Sequence, residues 1–104
     1  MSKKSEALME TLFGSDKEMV SVIHSAFDET PRVVAMVEVN KSASFIKKCE
    51  VAFVKTNTIN DAWWRNEGVT PMFPENGCRS TSVGDMVLIG TEKYKCDPMG
   101  WSLI

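Results

Sequence analysis

The octapeptide Arg79-Ser80-Thr81-Ser82-Val83-Gly84-Asp85-Met86 runs directly into Val87-Leu88-Ile89. One cation, three hydroxyls, a glycine and a carboxylate therefore sit against what reads as a strand. Two readings fit this segment. In the structural one, Val83 enters the core, Gly84 takes a positive φ, and Asp85 bonds its own turn before a hairpin begins. In the functional one, the N–H and O–H donors converge with Arg79 on a small anion, or Asp85 accepts from a ribose hydroxyl or a base edge. The segment lacks the G-x-x-x-x-G-K-[ST] of a phosphate loop and the G-x-G-x-x-G of a dinucleotide fold.

Elsewhere, hydrophobic spacing sets the expected elements. Leu8, Met9, Leu12 and Phe13 recur at helical intervals, with Gly14 to end the turn. Ser15 and Glu18 match a capping box, and Met19, Val20, Ile23, Ala26 and Phe27 form an apolar stripe behind it. A helix is expected over 16–27, stopped at Asp28-Glu29-Thr30-Pro31. Val33 to Val39 is rich in β-branched residues and reads as a central strand. In 43–55, Val51-Ala52-Phe53-Val54 would suit a strand, but the whole segment fits only a helical period. Residues 57–77 read as a long loop, and strands are expected over 86–90, 93–96 and 101–104. The sum is an α+β domain: N-terminal helices, one central strand, a further helix, then a C-terminal antiparallel β-meander. One domain over 1–104 is expected, with a helical segment over 5–27 ahead of a body over 32–104.

Charge and composition exclude several function classes. No apolar run approaches the roughly 18 residues that span a bilayer. Met1-Ser2-Lys3-Lys4-Ser5 lacks the apolar stretch of a signal peptide, so a cytosolic protein is expected. A net charge of −2 gives no general attraction for nucleic acid. Lys41, Lys47, Lys48, Lys55 and Arg65 make only a sparse basic set, interrupted by Glu50, so nucleic-acid binding ranks below protein or small-ligand binding. The acidic residues concentrate in 1–30, which suggests a protein-facing surface or simply a solvated helix face. Three cysteines without C-x-x-C spacing and a single histidine argue against a zinc site. Reduced thiols are expected; a Cys78–Cys96 bridge across neighbouring strands is compatible but not implied. His24 is expected at a helix surface. No serine lies in a G-x-S-x-G setting and no cysteine has a local histidine partner, so neither enzyme activity nor a cofactor is expected.

The long loop holds the second candidate, Trp63-Trp64-Arg65, whose residue types are enriched in binding hot spots and stack well on bases. The alternative is that one Trp plugs the core and the other caps it. The candidate ligand- or partner-binding set is Trp63, Trp64, Arg65, Arg79, Ser80, Ser82 and Asp85, which requires the two loops to lie side by side.

The stretch Arg79 to Val87, with Tyr94, Cys96 and the ending Gly100-Trp101-Ser102-Leu103-Ile104, resembles a family of small uncharacterised proteins of phages and mobile elements. Thr56-Asn57-Thr58-Ile59-Asn60-Asp61-Ala62-Trp63-Trp64 is similar to the same family's Thr-Asn…Ile…Trp segment. The resemblance covers roughly 33–104 and implies no activity. It implies a context: an accessory protein in a bacterial cytosol that binds and blocks a host or defence component. A homodimer through the N-terminal helices, and capture of a nucleotide-like anion, are the further expectations for partners.

Overall fold

The computed structural model describes residues 16–57 and 62–104. Six antiparallel strands form one sheet: β1 Lys17–His24, β2 Arg32–Asn40, β3 Val69–Pro71, β4 Met86–Ile89, β5 Glu92–Asp97 and β6 Gly100–Leu103. Their spatial order is β3-β2-β1-β4-β5-β6, so β1 lies inside the sheet while β3 and β6 are its edges. Among the described residues one α-helix, α1 (Phe45–Thr56), covers one face, and a 3-10 turn at Trp63–Arg65 follows.

The expected helix over 16–27 is not formed. Residues 17–24 are strand β1, paired with β2 on one side and β4 on the other. The physical reason is visible in the alternation Glu18, Val20, Val22, which lies on the α1 face. Val20 and Val22 pack with Cys49 and Ala52 in the core, and Glu18 pairs with Lys48 of α1. Ser21, on the opposite face, meets Met36 across the pair. Three β-branched residues, Val20, Val22 and Ile23, favour this pleated setting over a helix. The register shift between Val22 and Ile23 is a bulge on β2, where Val34 is the extra residue between Ala35 and Val33. β1 keeps its alternation, and burial of Val22 and Ile23 on its two faces is what gives the segment a helix-like spacing. The stripe at Leu8, Met9, Leu12 and Phe13 lies outside the described residues, so only the 16–27 part of the expected helical seam is overturned.

α1 forms where the helical period runs through 43–55. Ser44 caps it, its hydroxyl accepting from the Lys47 amide at 3.1 Å. Cys49, Ala52 and Thr56 lie at i, i+3 and i+7 and are fully buried against the sheet. The core beneath is largely valine: Val20, Val22, Val34, Val37, Val39 and Val87, with Trp63 and Tyr94 at its margins. The segment read as one long loop contains both the 3-10 turn and the short edge strand β3. Pro71 suits that edge, where no N–H is needed for a further strand.

Candidate functional site

The Arg79–Asp85 loop is a buried polar clasp that ties β4 to the turn after β1. Asp85 has no solvent exposure, and its carboxylate accepts five hydrogen bonds. Ser25 N and Ala26 N donate to Oδ1 at 2.9 Å each, and Ser82 N donates to Oδ2 at 2.7 Å. The Arg79 guanidinium grips both oxygens, at 2.7 and 2.8 Å. Burial alone would raise the Asp85 pKa; Arg79 and the three amides outweigh it and hold the carboxyl at about 2. Arg79 also donates to Asp28 at 3.0 Å and lies 5.0 Å over the Phe27 ring. Gly84 has φ +98, and a Cβ there would stand 2.9 Å from Ala26 Cβ, so only glycine lets the two segments approach this closely.

His24 ends β1 and is buried beside this clasp, not exposed on a helix. Its Nε2 lies 3.0 Å from Thr81 Oγ1 and 3.9 Å from Asp85 Oδ2; its Nδ1 lies 3.6 Å from Cys78 Sγ. Burial lowers the imidazole pKa, with Asp85 opposing, and burial raises the Cys78 thiol. Both shifts favour the neutral forms of the two groups. His24 and Cys78 were missed as partners by sequence reasoning. They are 54 residues apart, and no local spacing announces them. All three cysteines are free thiols.

The two candidate loops do meet, but as packing. Trp63 is buried, and its indole N–H donates to the carbonyls of Cys78 and Arg79 at 3.1 Å each. Trp64 is half-buried, edge-on to Trp63 and to Phe73, and lies against Gly77. Arg65 is exposed on the 3-10 turn. Ser80 offers its carbonyl to Arg79, and the Ser82 hydroxyl bonds the same carbonyl at 3.4 Å. Arg79, Ser82 and Asp85 thus satisfy one another. An incoming anion would have to displace a carboxylate from Arg79.

Four lysines, Lys17, Lys47, Lys48 and Lys55, do line a shallow depression of about 180 Å3 with Glu38. Glu18 neutralises Lys48, and Lys55 donates to the Glu67 carbonyl at 3.1 Å. Of the expected basic set, Lys48 and Lys55 are thus engaged by the chain's own groups.

The open apolar surface lies on the opposite flank. A groove of about 360 Å3 runs between α1 and the β5–β6 hairpin. Phe53, Val54, Val83, Pro98 and Trp101 form its walls, with Glu50 and Asp97 at the rim. Phe53 and Trp101 meet edge-to-face at 6.1 Å. Val54 is 68% exposed and Met99 98%, and Leu103, on the same face of β6 as Trp101, is also open to solvent. Among the described residues, no group of three or more His, Cys, Asp or Glu is placed to hold a metal, and no helix is long and apolar enough to cross a membrane. No protein-family model, curated protein or solved structure matches this chain.

Proposed function

We propose that this is a non-catalytic binding protein that captures a protein partner in the groove between α1 and the β5–β6 hairpin. The observation that carries the reading is the apolar surface at Phe53, Val54, Val83 and Trp101, with Met99 and Leu103 exposed near it. Contiguous open apolar surface of this kind marks interaction sites. Glu50 and Asp97 at the rim favour a partner segment that places an apolar side chain next to a lysine or arginine. Asp85, already saturated with donors, serves the fold and leaves the open apolar surface as the place for a partner. The proposed partner is a bacterial host or defence component, a choice that rests on the sequence resemblance alone.

Affinity capture from a bacterial extract with the full chain as bait tests this. Wild type should retain a partner that Val54→Glu loses, with the melting temperature unchanged. Trp64→Ala, on the other flank, should keep it. Retention of the same partner by both Val54→Glu and Val83→Glu would exclude the groove.

A further inference from the structure

We infer that β6 pairs with β6 of a second copy of this chain, across a twofold axis at Ser102. The argument starts from backbone direction. In an antiparallel ladder, the N–H and C=O of one residue point to the same side, and those of its neighbours point to the other. The Ile104 amide donates to the Lys93 carbonyl, and β5 pairs with β6 in the register Tyr94↔Leu103, Lys95↔Ser102 and Cys96↔Trp101. Ile104 and Ser102 therefore face β5. The ladder on the other side of β5 agrees, since Cys96 exchanges bonds with Gly84 and Asp85, next to β4. Trp101 and Leu103 consequently turn their N–H and C=O groups out from the sheet edge.

These two residues flank Ser102 symmetrically. A second β6 laid antiparallel, with Ser102 opposite Ser102, sets Trp101 of each copy opposite Leu103 of the other. All four outward donors and acceptors of each strand are then matched. The side chains agree with this register. Trp101 and Leu103 pair with Cys96 and Tyr94, which face the buried core, so both project to the α1 face. Leu103, 60% exposed in one copy, would cover Trp101 of the other and extend the apolar groove across the axis.

Charge also permits the pairing. The stretch Met99–Ile104 contains no charged side chain, and the nearest carboxylate, Asp97, accepts a hydrogen bond from the Ser102 hydroxyl of its own copy. Natural edge strands are usually blunted by charge, proline or a bulge. The opposite edge, β3, carries Pro71, whereas β6 carries none of these devices. The product is a closed twofold dimer with one continuous sheet and two grooves side by side.

Sedimentation equilibrium of the full chain over a dilution series provides the first test, with a dimer expected. Leu103→Pro removes one outward N–H per copy and should leave a monomer with wild-type far-UV circular dichroism. Should that variant unfold, Leu103→Lys serves instead and should raise the dimer dissociation constant roughly tenfold or more. The positive test is Ser102→Cys in a Cys78→Ser background. Residues opposite one another in this register lie within disulfide reach, so mild oxidation should link 102 to 102. Lys41→Cys in the same background should not cross-link. A wild type that is monomeric throughout, or a dimer that survives both Leu103 variants and does not cross-link at 102, overturns the inference. A monomer that still loses its partner on Val54→Glu leaves the groove reading standing. A dimer linked at 102 that captures nothing leaves the pairing standing without it.

Discussion

The clasp around Asp85 and the groove beside β6 are built from opposite materials. The clasp is polar, buried and internally complete: a carboxylate with five donors, and a guanidinium shared between two carboxylates. The groove is apolar, open and unfilled. A dense cluster of polar side chains in a sequence suggests a site, yet here its members use their bonding capacity on each other. The surface with unused capacity is written in Val54, Val83 and Trp101, whose residue types would draw no attention in a strand or helix. Satisfied hydrogen bonding marks architecture; exposed apolar area marks a place for something else.

The contrast can be broken by mutation. Asp85→Ala leaves Arg79 short of its bidentate partner and three amides without an acceptor, and should cost about 3–5 kcal/mol in urea unfolding. A cost below about 1 kcal/mol would mean that the clasp is ornamental. Acid should produce the next largest effect. Asp85 is held at about 2 in the folded chain against an ordinary value of 3.8, so its contribution of about 2 kcal/mol is complete above about pH 5 and is lost as pH falls towards 2. His24 moves stability earlier. Its folded pKa lies below 6.5, so the unfolded chain takes up the proton first and stability declines as pH drops below 6.5. Melting curves across pH should show both steps in wild type, and the upper one should vanish in His24→Asn.

Gly84→Ala probes the same clasp through the backbone. It combines a left-handed φ with a 2.9 Å approach to Ala26, and should cost about 1–3 kcal/mol by thermal unfolding. At the other end of the scale, Val54→Glu should change stability by less than about 0.5 kcal/mol, because the side chain is already in water. A large loss there would make the groove part of the fold and erase the contrast.

Several elements were legible in the sequence because their signals are local. The stripe through Cys49 and Ala52 defines α1, and β-branched runs define β2 and β4. The structural reading of Gly84 and Asp85 also needed only local chemistry. β1 was illegible because apolar residues are buried on both of its faces, Val22 on one and Ile23 on the other, while Ser15 and Glu18 imitate a capping box. Glu18 instead meets Lys48, thirty positions away along the chain. His24 failed for the same reason, since its neighbours Thr81, Asp85 and Cys78 are all brought by a distant loop. Even the correct idea that the tryptophan loop meets the Arg79 loop did not reveal that Trp63 would be spent on two backbone carbonyls.

The span of the clasp also bears on the order of folding. Asp85 joins Ser25 and Ala26 across 60 and 59 residues of chain. Closing so long a loop carries its full entropic cost before any of those bonds form. The β4–β5 hairpin and the β1–β2 pair need far shorter closures, so the carboxylate finds its donors after the sheet has begun to assemble. Bonds made on the native side of the barrier act as a latch on escape: a chain without Asp85 should fold at nearly the wild-type rate and unfold much faster.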